Sequence, residues 1–181
     1  MYNHDYKIAY VHIPKTGGST VKQVLNCMEN PNHRPLGDLP NDYFAFTLIR
    51  NPWDRLVSAY HYFDQYENIK IPHMVQARDA IKKCGSFSNM LSALPRLRME
   101  LAFPHLHQQS YWLDSRLWVG KFENMEQSLE YVSSVTNCPL SKIVHLNRTQ
   151  RQPYHKYYDT RLLDLFNIYF SDDVTLGYKY E

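Results

Sequence analysis

Apolar residues along this chain fall into two patterns: short continuous runs, and longer segments where they recur at helical spacing. Residues 8–13 (IAYVHI) are a short apolar run ended by Pro14. A run of that length, closed by a breaker, reads as a buried strand. Residues 15–19 (KTGGS) follow as a glycine-containing loop. Val21, Val24, Leu25 and Met28 then sit at i, i+3, i+4 and i+7, one apolar face of a helix. Residues 30–42, rich in Pro, Asn, Gly and Asp, read as a loop. Phe44–Ile49 (FAFTLI) is a second buried strand. Asn51 suits an N-cap and Pro52 a first helical residue. Trp53, Leu56, Val57, Tyr60 and Phe63 form one stripe along the helix they open.

The first third is therefore strand, loop, helix, strand, loop, helix. That order predicts a parallel sheet with crossover helices. Farther on, helices are expected over 75–83 and 87–101. Residues 117–122 (LWVGKF) read as a strand, and Met125, Leu129, Val132 and Val135 as a helix face. A short strand is expected over 144–146. A last helix carries Leu162, Leu163, Phe166, Tyr169 and Phe170, capped by Asp159. No repeat, low-complexity tract or linker interrupts the pattern. The predicted class is α/β: a P-loop-like three-layer fold with a mostly parallel central sheet flanked by helices. A length of 181 residues predicts a single domain over 1–181.

Composition narrows the chemistry. With 44% hydrophobic and 21% charged residues, the chain is globular rather than disordered. A net charge of +2 is too small for a nucleic-acid coat, so any anion site must be built locally. Cys27, Cys84 and Cys138 are widely spaced and form no CxxC, which argues against a disulfide framework or a zinc knuckle. A reducing compartment is the simplest reading. No stretch reaches the apolar length of a membrane span. The run at 8–13 is too short for a signal peptide and ends in Pro14. A cytoplasmic protein without a membrane span is expected. The 15 tyrosines fit a sugar-stacking surface, and equally a core whose hydroxyls stay wet.

A strand that enters a glycine turn and then a helix is an anion site by geometry, because the first helical amides have no internal acceptor. Gly17 and Gly18 permit positive φ and close approach of a phosphate. Lys15, Thr16, Ser19 and Thr20 supply a cation and hydroxyl donors. An ordinary strand-to-helix turn with a surface lysine would look the same. The loop is not a Walker A motif, in which lysine follows the last glycine. Here Lys15 precedes both glycines, at the loop entrance. A second element adds weight. Arg50 ends the second strand, and Ser58 lies two turns into the next helix, off its apolar stripe. An arginine and a hydroxyl at the strand ends would hold a second phosphate.

The segment His12-Ile13-Pro14-Lys15-Thr16-Gly17-Gly18-Ser19-Thr20 resembles the 5′-phosphosulfate loop of sulfotransferases that use 3′-phosphoadenosine 5′-phosphosulfate (PAPS). Residues 48–60 (LIRNPWDRLVSAY) resemble their 3′-phosphate site. The likeness is to the carbohydrate branch, which includes the heparan and chondroitin sulfotransferases and bacterial relatives. It continues more weakly through 120–126, 145–149 and 169–178.

The resemblance implies transfer of a sulfuryl group from PAPS to a hydroxyl, with a carbohydrate as the expected acceptor. It implies that Lys15 contacts the bridging oxygen and the leaving 5′-phosphate. The 17–20 amides, with Ser19 and Thr20, hold that phosphate. Arg50 and Ser58 hold the 3′-phosphate, and Arg148 and Thr149 complete the pocket. No metal is called for, since lysine and helix dipole supply the positive field. Related enzymes place the general base after the first helix or before the second strand, where His33 lies; a solvent-exposed loop histidine fits that position nearly as well. His12 is expected to pack beneath the loop. His105, His107 and Gln108 are the acceptor-binding candidates; the two histidines lack a third partner for a metal. Asp54, Arg55, Asp172 and Asp173 read as surface or capping residues. The aromatics at 60–66 and Tyr111–Trp112 suit a core better than a sugar platform. Two other functions remain open: a P-loop kinase, opposed by the glycine order and by strands that end in Pro14 and Arg50, and a nucleotide-binding domain without turnover.

Overall fold

The computed structural model describes residues 1–28, 33–65, 71–101, 104–143 and 150–180. Along the chain the elements are β1 (Tyr2–Asn3), β2 (Ile8–Val11), α1 (Gly18–Val24), β3 (Phe44–Ile49), α2 (Pro52–Gln65), α3 (Pro72–Lys83), α4 (Phe87–Ser92), α5 (Leu94–Leu101), β4 (Trp118–Lys121), α6 (Met125–Thr136) and α7 (Thr160–Tyr169), joined by loops and 3₁₀ turns. The described residues thus form an α/β fold with a four-stranded, mostly parallel sheet and seven helices. They divide into two compact units, Met1–Arg50 with Gln109–Arg148, and Asn51–Gln108 with Thr149–Glu181.

The first unit holds the sheet, in the order β1-β2-β3-β4. β1 runs antiparallel to β2, while β2, β3 and β4 are parallel. The registers Tyr10↔Phe46 and Phe46↔Trp118 put these side chains on one face, since strand side chains alternate. Onto that face α1 and α6 pack Val21, Val24, Leu25, Met125, Leu129 and Val132. A seven-residue helix is not stable alone. Burial of Val21, Val24 and Leu25, worth roughly 1.5–3 kcal/mol each, holds α1 in place.

Helix α1 stops sooner than its apolar spacing predicts. Leu25 is the C-cap, and Asn26 at φ +47° turns the chain away. Met28 is 65% exposed rather than on the apolar face, and its N–H donates to the Tyr2 carbonyl at 2.7 Å. Val135 likewise stands exposed at the end of α6. The strand expected over 144–146 lies outside the described residues.

The second unit is helical, with a core that includes Trp53, Leu56, Phe63, Met90, Leu94, Phe166 and Phe170. Its predicted caps are formed. Asn51 Oδ1 accepts the Asp54 N–H at 3.1 Å, and Asp159 Oδ1 accepts the Leu162 N–H at 2.7 Å. The single helix expected over 87–101 is two, α4 and α5, separated at Ala93. Pro95 lacks the N–H that would continue the ladder, so the helix restarts there.

Arg55 and Asp173 correct the surface reading. Both are fully buried, with an ion pair of 3.8 Å between them, and Arg55 Nη2 also donates to the His107 carbonyl. The first half of α2 is buried on nearly every side, which leaves no exposed face for Arg55. Asp54 is bonded to Arg151 at 2.6 Å. No described helix is long and apolar enough to cross a membrane.

Candidate functional site

The loop between β2 and α1 has an unusual backbone. Lys15 lies at φ +70° and Gly17 at φ +83°, while Thr16 between them stays on the ordinary side. Residues of alternating handedness turn successive N–H groups toward one side, a concavity that suits an anion. The conformation is free for glycine, but it costs on the order of 1 kcal/mol or more at a lysine. Thr16 anchors it from below. Its side chain is fully buried, and its hydroxyl donates to the Ile13 carbonyl at 2.9 Å. The Thr16 hydroxyl, expected as a ligand donor, is therefore turned inward; its N–H is what it can offer an anion.

The two glycines serve different ends. A Cβ on Gly17 would stand 2.3 Å from Met125 Cε, and one on Gly18 would stand 2.0 Å from His12 Nε2. Gly18 has no positive φ; its missing side chain makes room for the imidazole. His12 thus packs beneath the loop, as the sequence predicts. The first backbone bond of α1 runs from the Thr20 N–H to the Gly17 carbonyl at 3.0 Å. Helix geometry leaves the Gly17 and Gly18 amides ahead of it without intrahelical acceptors.

Arg50 reaches this loop from the end of β3. Its Nη1 donates to the Lys15 carbonyl at 3.0 Å, and its guanidinium lies 4.3 Å above the Phe122 ring. The fully buried Gln109 holds its backbone: the Arg50 N–H donates to Gln109 Oε1, and Gln109 Nε2 donates to the Arg50 carbonyl, both at 2.8 Å.

His33 is fixed from three sides. Its Nδ1 lies 3.1 Å from the His12 carbonyl, its ring 4.4 Å from the His12 ring, and its own carbonyl accepts Trp112 Nε1–H at 2.7 Å. A carbonyl cannot donate, so Nδ1 carries the proton and Nε2 is the basic nitrogen. The residue sits at φ +39°. Backbone strain of that kind persists where the surroundings impose it, and it clusters at functional sites. Burial pushes the His33 pKa below its ordinary value, opposed by the bond to the His12 carbonyl. Burial, then the neighbouring His33, push His12 well below. A cavity of about 20 Å³ beside the pair is lined in part by Tyr10, His12, His33 and Arg34, room for about one water.

The first unit thus gathers Lys15, Thr16, Gly17, Gly18, Ser19, Thr20, Arg50 and His33. Ser58, His105, His107 and Gln108 belong to the second. Ser58 is buried on α2. His105 is buried with its ring parallel to Tyr62 at 5.8 Å. The His107 imidazole has its pKa lowered by burial, then by the Arg98 and Arg55 charges. Gln108 Oε1 accepts the Asp172 N–H at 3.0 Å. Arg148 and Thr149 lie outside the described residues. Among those described, no three His, Cys, Asp or Glu side chains gather as a metal site. Trp112 is buried and Tyr111 exposed.

Sequence reasoning gave Gln109 and Phe122 no part in the site; Trp112, read as core, is buried and also holds the His33 carbonyl. The available signal was weak: Gln109 lies in the polar run 107–110 (HQQS), and nothing in that run marks it as a buried residue.

A strand, a glycine loop and a helix, with an arginine from the adjoining strand bonded into the loop, make an α/β protein whose loop is shaped to receive an anion. The profile of the Sulfotransferase family matches residues 1–167, and the chain belongs to that family. Membership implies a PAPS-dependent transferase, since the family generally uses PAPS, with a hydroxyl group as acceptor. Comparison with curated proteins and with solved structures finds no match.

Proposed function

We propose that the chain transfers the sulfuryl group of PAPS to a carbohydrate hydroxyl by in-line displacement. The observation that carries this reading is the bond from Arg50 to the Lys15 carbonyl, which joins the two motifs that resemble the phosphate sites of the carbohydrate branch. Lys15 and the amides of the loop neutralise the leaving 5′-phosphate. Arg50 binds the 3′-phosphate, and the motif adds Ser58 to that role. The resemblance adds Arg148 and Thr149 to the residues that bind the nucleotide. His33 Nε2 takes the acceptor's proton, and His105, His107 and Gln108 bind the acceptor. A positioned donor, base and acceptor supply proximity and electrostatic stabilisation, the two largest sources of catalysis open to such a site.

Two measurements test this. Labelled PAPS offered with oligosaccharides, phenols and tyrosyl peptides should mark the oligosaccharides. Label confined to phenols or peptides would overturn the carbohydrate assignment. In calorimetry, the 3′,5′-bisphosphate product should bind more tightly than AMP by ~2–3 kcal/mol, the scale of charge-assisted bonds to one more phosphate. Arg50→Ala should remove most of that difference. Equal affinities in the unaltered protein would exclude a 3′-phosphate site.

A further inference from the structure

The β3–β4 ladder ends at the pair Ile49↔Lys121. Beyond it, Phe122 enters a 3₁₀ turn, so no strand residue among those described stands opposite Arg50. The Gln109 side chain takes that place. It bonds both the N–H and the C=O of a single residue, at 2.8 Å each. The amide orientation is fixed by this pairing, because only its oxygen can accept and only its nitrogen can donate. Gln109 is fully buried, and a buried carboxamide is tolerated when its polar atoms are bonded.

The residue so gripped is the one whose guanidinium touches the phosphate loop. Two further contacts aim it, the Lys15 carbonyl at 3.0 Å and the Phe122 ring at 4.3 Å. Backbone and side chain of Arg50 are thus held separately, the backbone by Gln109 and the guanidinium by the loop and the ring. A charge-assisted contact to a phosphate depends on donor direction, so a peptide free to rotate would misplace the fork.

We propose that Gln109 is a positioning residue for the donor nucleotide: it substitutes for a neighbouring strand and holds Arg50 in the orientation that reads the 3′-phosphate. This rests on the reading that Arg50 binds that phosphate. Gln109 itself touches no reacting atom in this account, and it acts on discrimination between nucleotides rather than on the loop.

The test is the ratio of affinities for the 3′,5′-bisphosphate and AMP, measured by calorimetry in the full chain. Gln109→Leu removes both bonds and should cut the preference for the bisphosphate by roughly tenfold, part of what a charge-assisted contact supplies, with AMP affinity nearly unchanged. A merely structural role would weaken both nucleotides alike. Gln109→Glu keeps an acceptor for the Arg50 N–H but turns a carboxylate oxygen toward the Arg50 carbonyl. Relative to the unaltered protein at each pH, its preference should recover as pH falls and the carboxyl gains an O–H to donate. Arg50→Ala is the control. If it leaves the ratio unchanged, the 3′-phosphate reading fails and this inference with it. If Arg50→Ala abolishes the preference while folded Gln109→Leu and Gln109→Glu both keep it, the positioning role is wrong and the phosphate reading stands. Hydrogen exchange in the unaltered protein needs no variant. The Arg50 amide should be strongly protected, and exchange at the rate of an exposed amide would overturn the clamp.

Discussion

Lys15→Ala is expected to lower kcat by roughly 10²–10³, the scale for loss of one electrostatic donor aimed at developing charge, while affinity for the bisphosphate product falls far less. The asymmetry follows from position. Lys15 stands at the loop entrance, before both glycines, where resemblance places the bond that breaks. Its charge counts most as negative charge grows on the leaving phosphate, so its loss appears in kcat and not mainly in binding. The backbone offers a second way to lose activity, because Lys15 holds φ +70°. Alanine retains that strain and glycine relieves it. Lys15→Gly should therefore match Lys15→Ala in kcat while being the more stable to denaturant. Single-turnover transfer from labelled PAPS, with product affinity measured separately, checks both. A kcat near that of the unaltered protein in either variant would remove Lys15 from the chemistry. Loss in the alanine variant alone would assign the effect to the backbone.

Much of the scaffold around this lysine was legible in the sequence, because its signals are local. The apolar run at 8–13 contains β2, which ends two residues early at Val11, and Asn51-Pro52 opens α2 with the cap bond found at 3.1 Å. Asp159 caps α7 as its residue type predicts. What escaped depends on neighbours distant in sequence. β1 is two residues long, too short for any periodicity. α1 ends at Val24, capped by Leu25, and turns away at Asn26 without a glycine or proline to announce it. Pro95 did announce the break between α4 and α5, but the apolar spacing on both sides hid it. Arg55 reads as a surface residue until Asp173 is folded beside it. Gly18 looks like a phosphate-loop glycine, and only the His12 ring explains why a side chain is barred there. Gln109 could not be assigned at all, because its partner is a backbone, which leaves no mark on side-chain pattern.

His33→Ala is expected to lower kcat by about 10²–10⁴, the range for loss of a general base, and to leave bisphosphate affinity nearly unchanged. The argument is one of tautomer and proton. The His12 carbonyl holds the proton on Nδ1, so Nε2 presents a lone pair. Only the neutral ring can accept the acceptor's proton, so the rate must fall as pH drops through the His33 pKa. Burial lowers that pKa, because desolvation disfavours the charged ring. The sign is therefore definite: in kcat/KM, which reports the free enzyme, the acidic limb should lie below the ordinary histidine value of about 6.5. The ring stays neutral and competent at neutral pH. His12 is a poor rival, since burial holds it lower still and its imidazole is lodged against Gly18. In His33→Ala the acidic limb should disappear along with most of the turnover. The measurement is kcat/KM for labelled transfer to an oligosaccharide across pH, for both proteins, with circular dichroism to confirm folding. If the variant keeps the same acidic limb at unaltered turnover, His33 only braces the loop, and the base must be sought at His105 or His107.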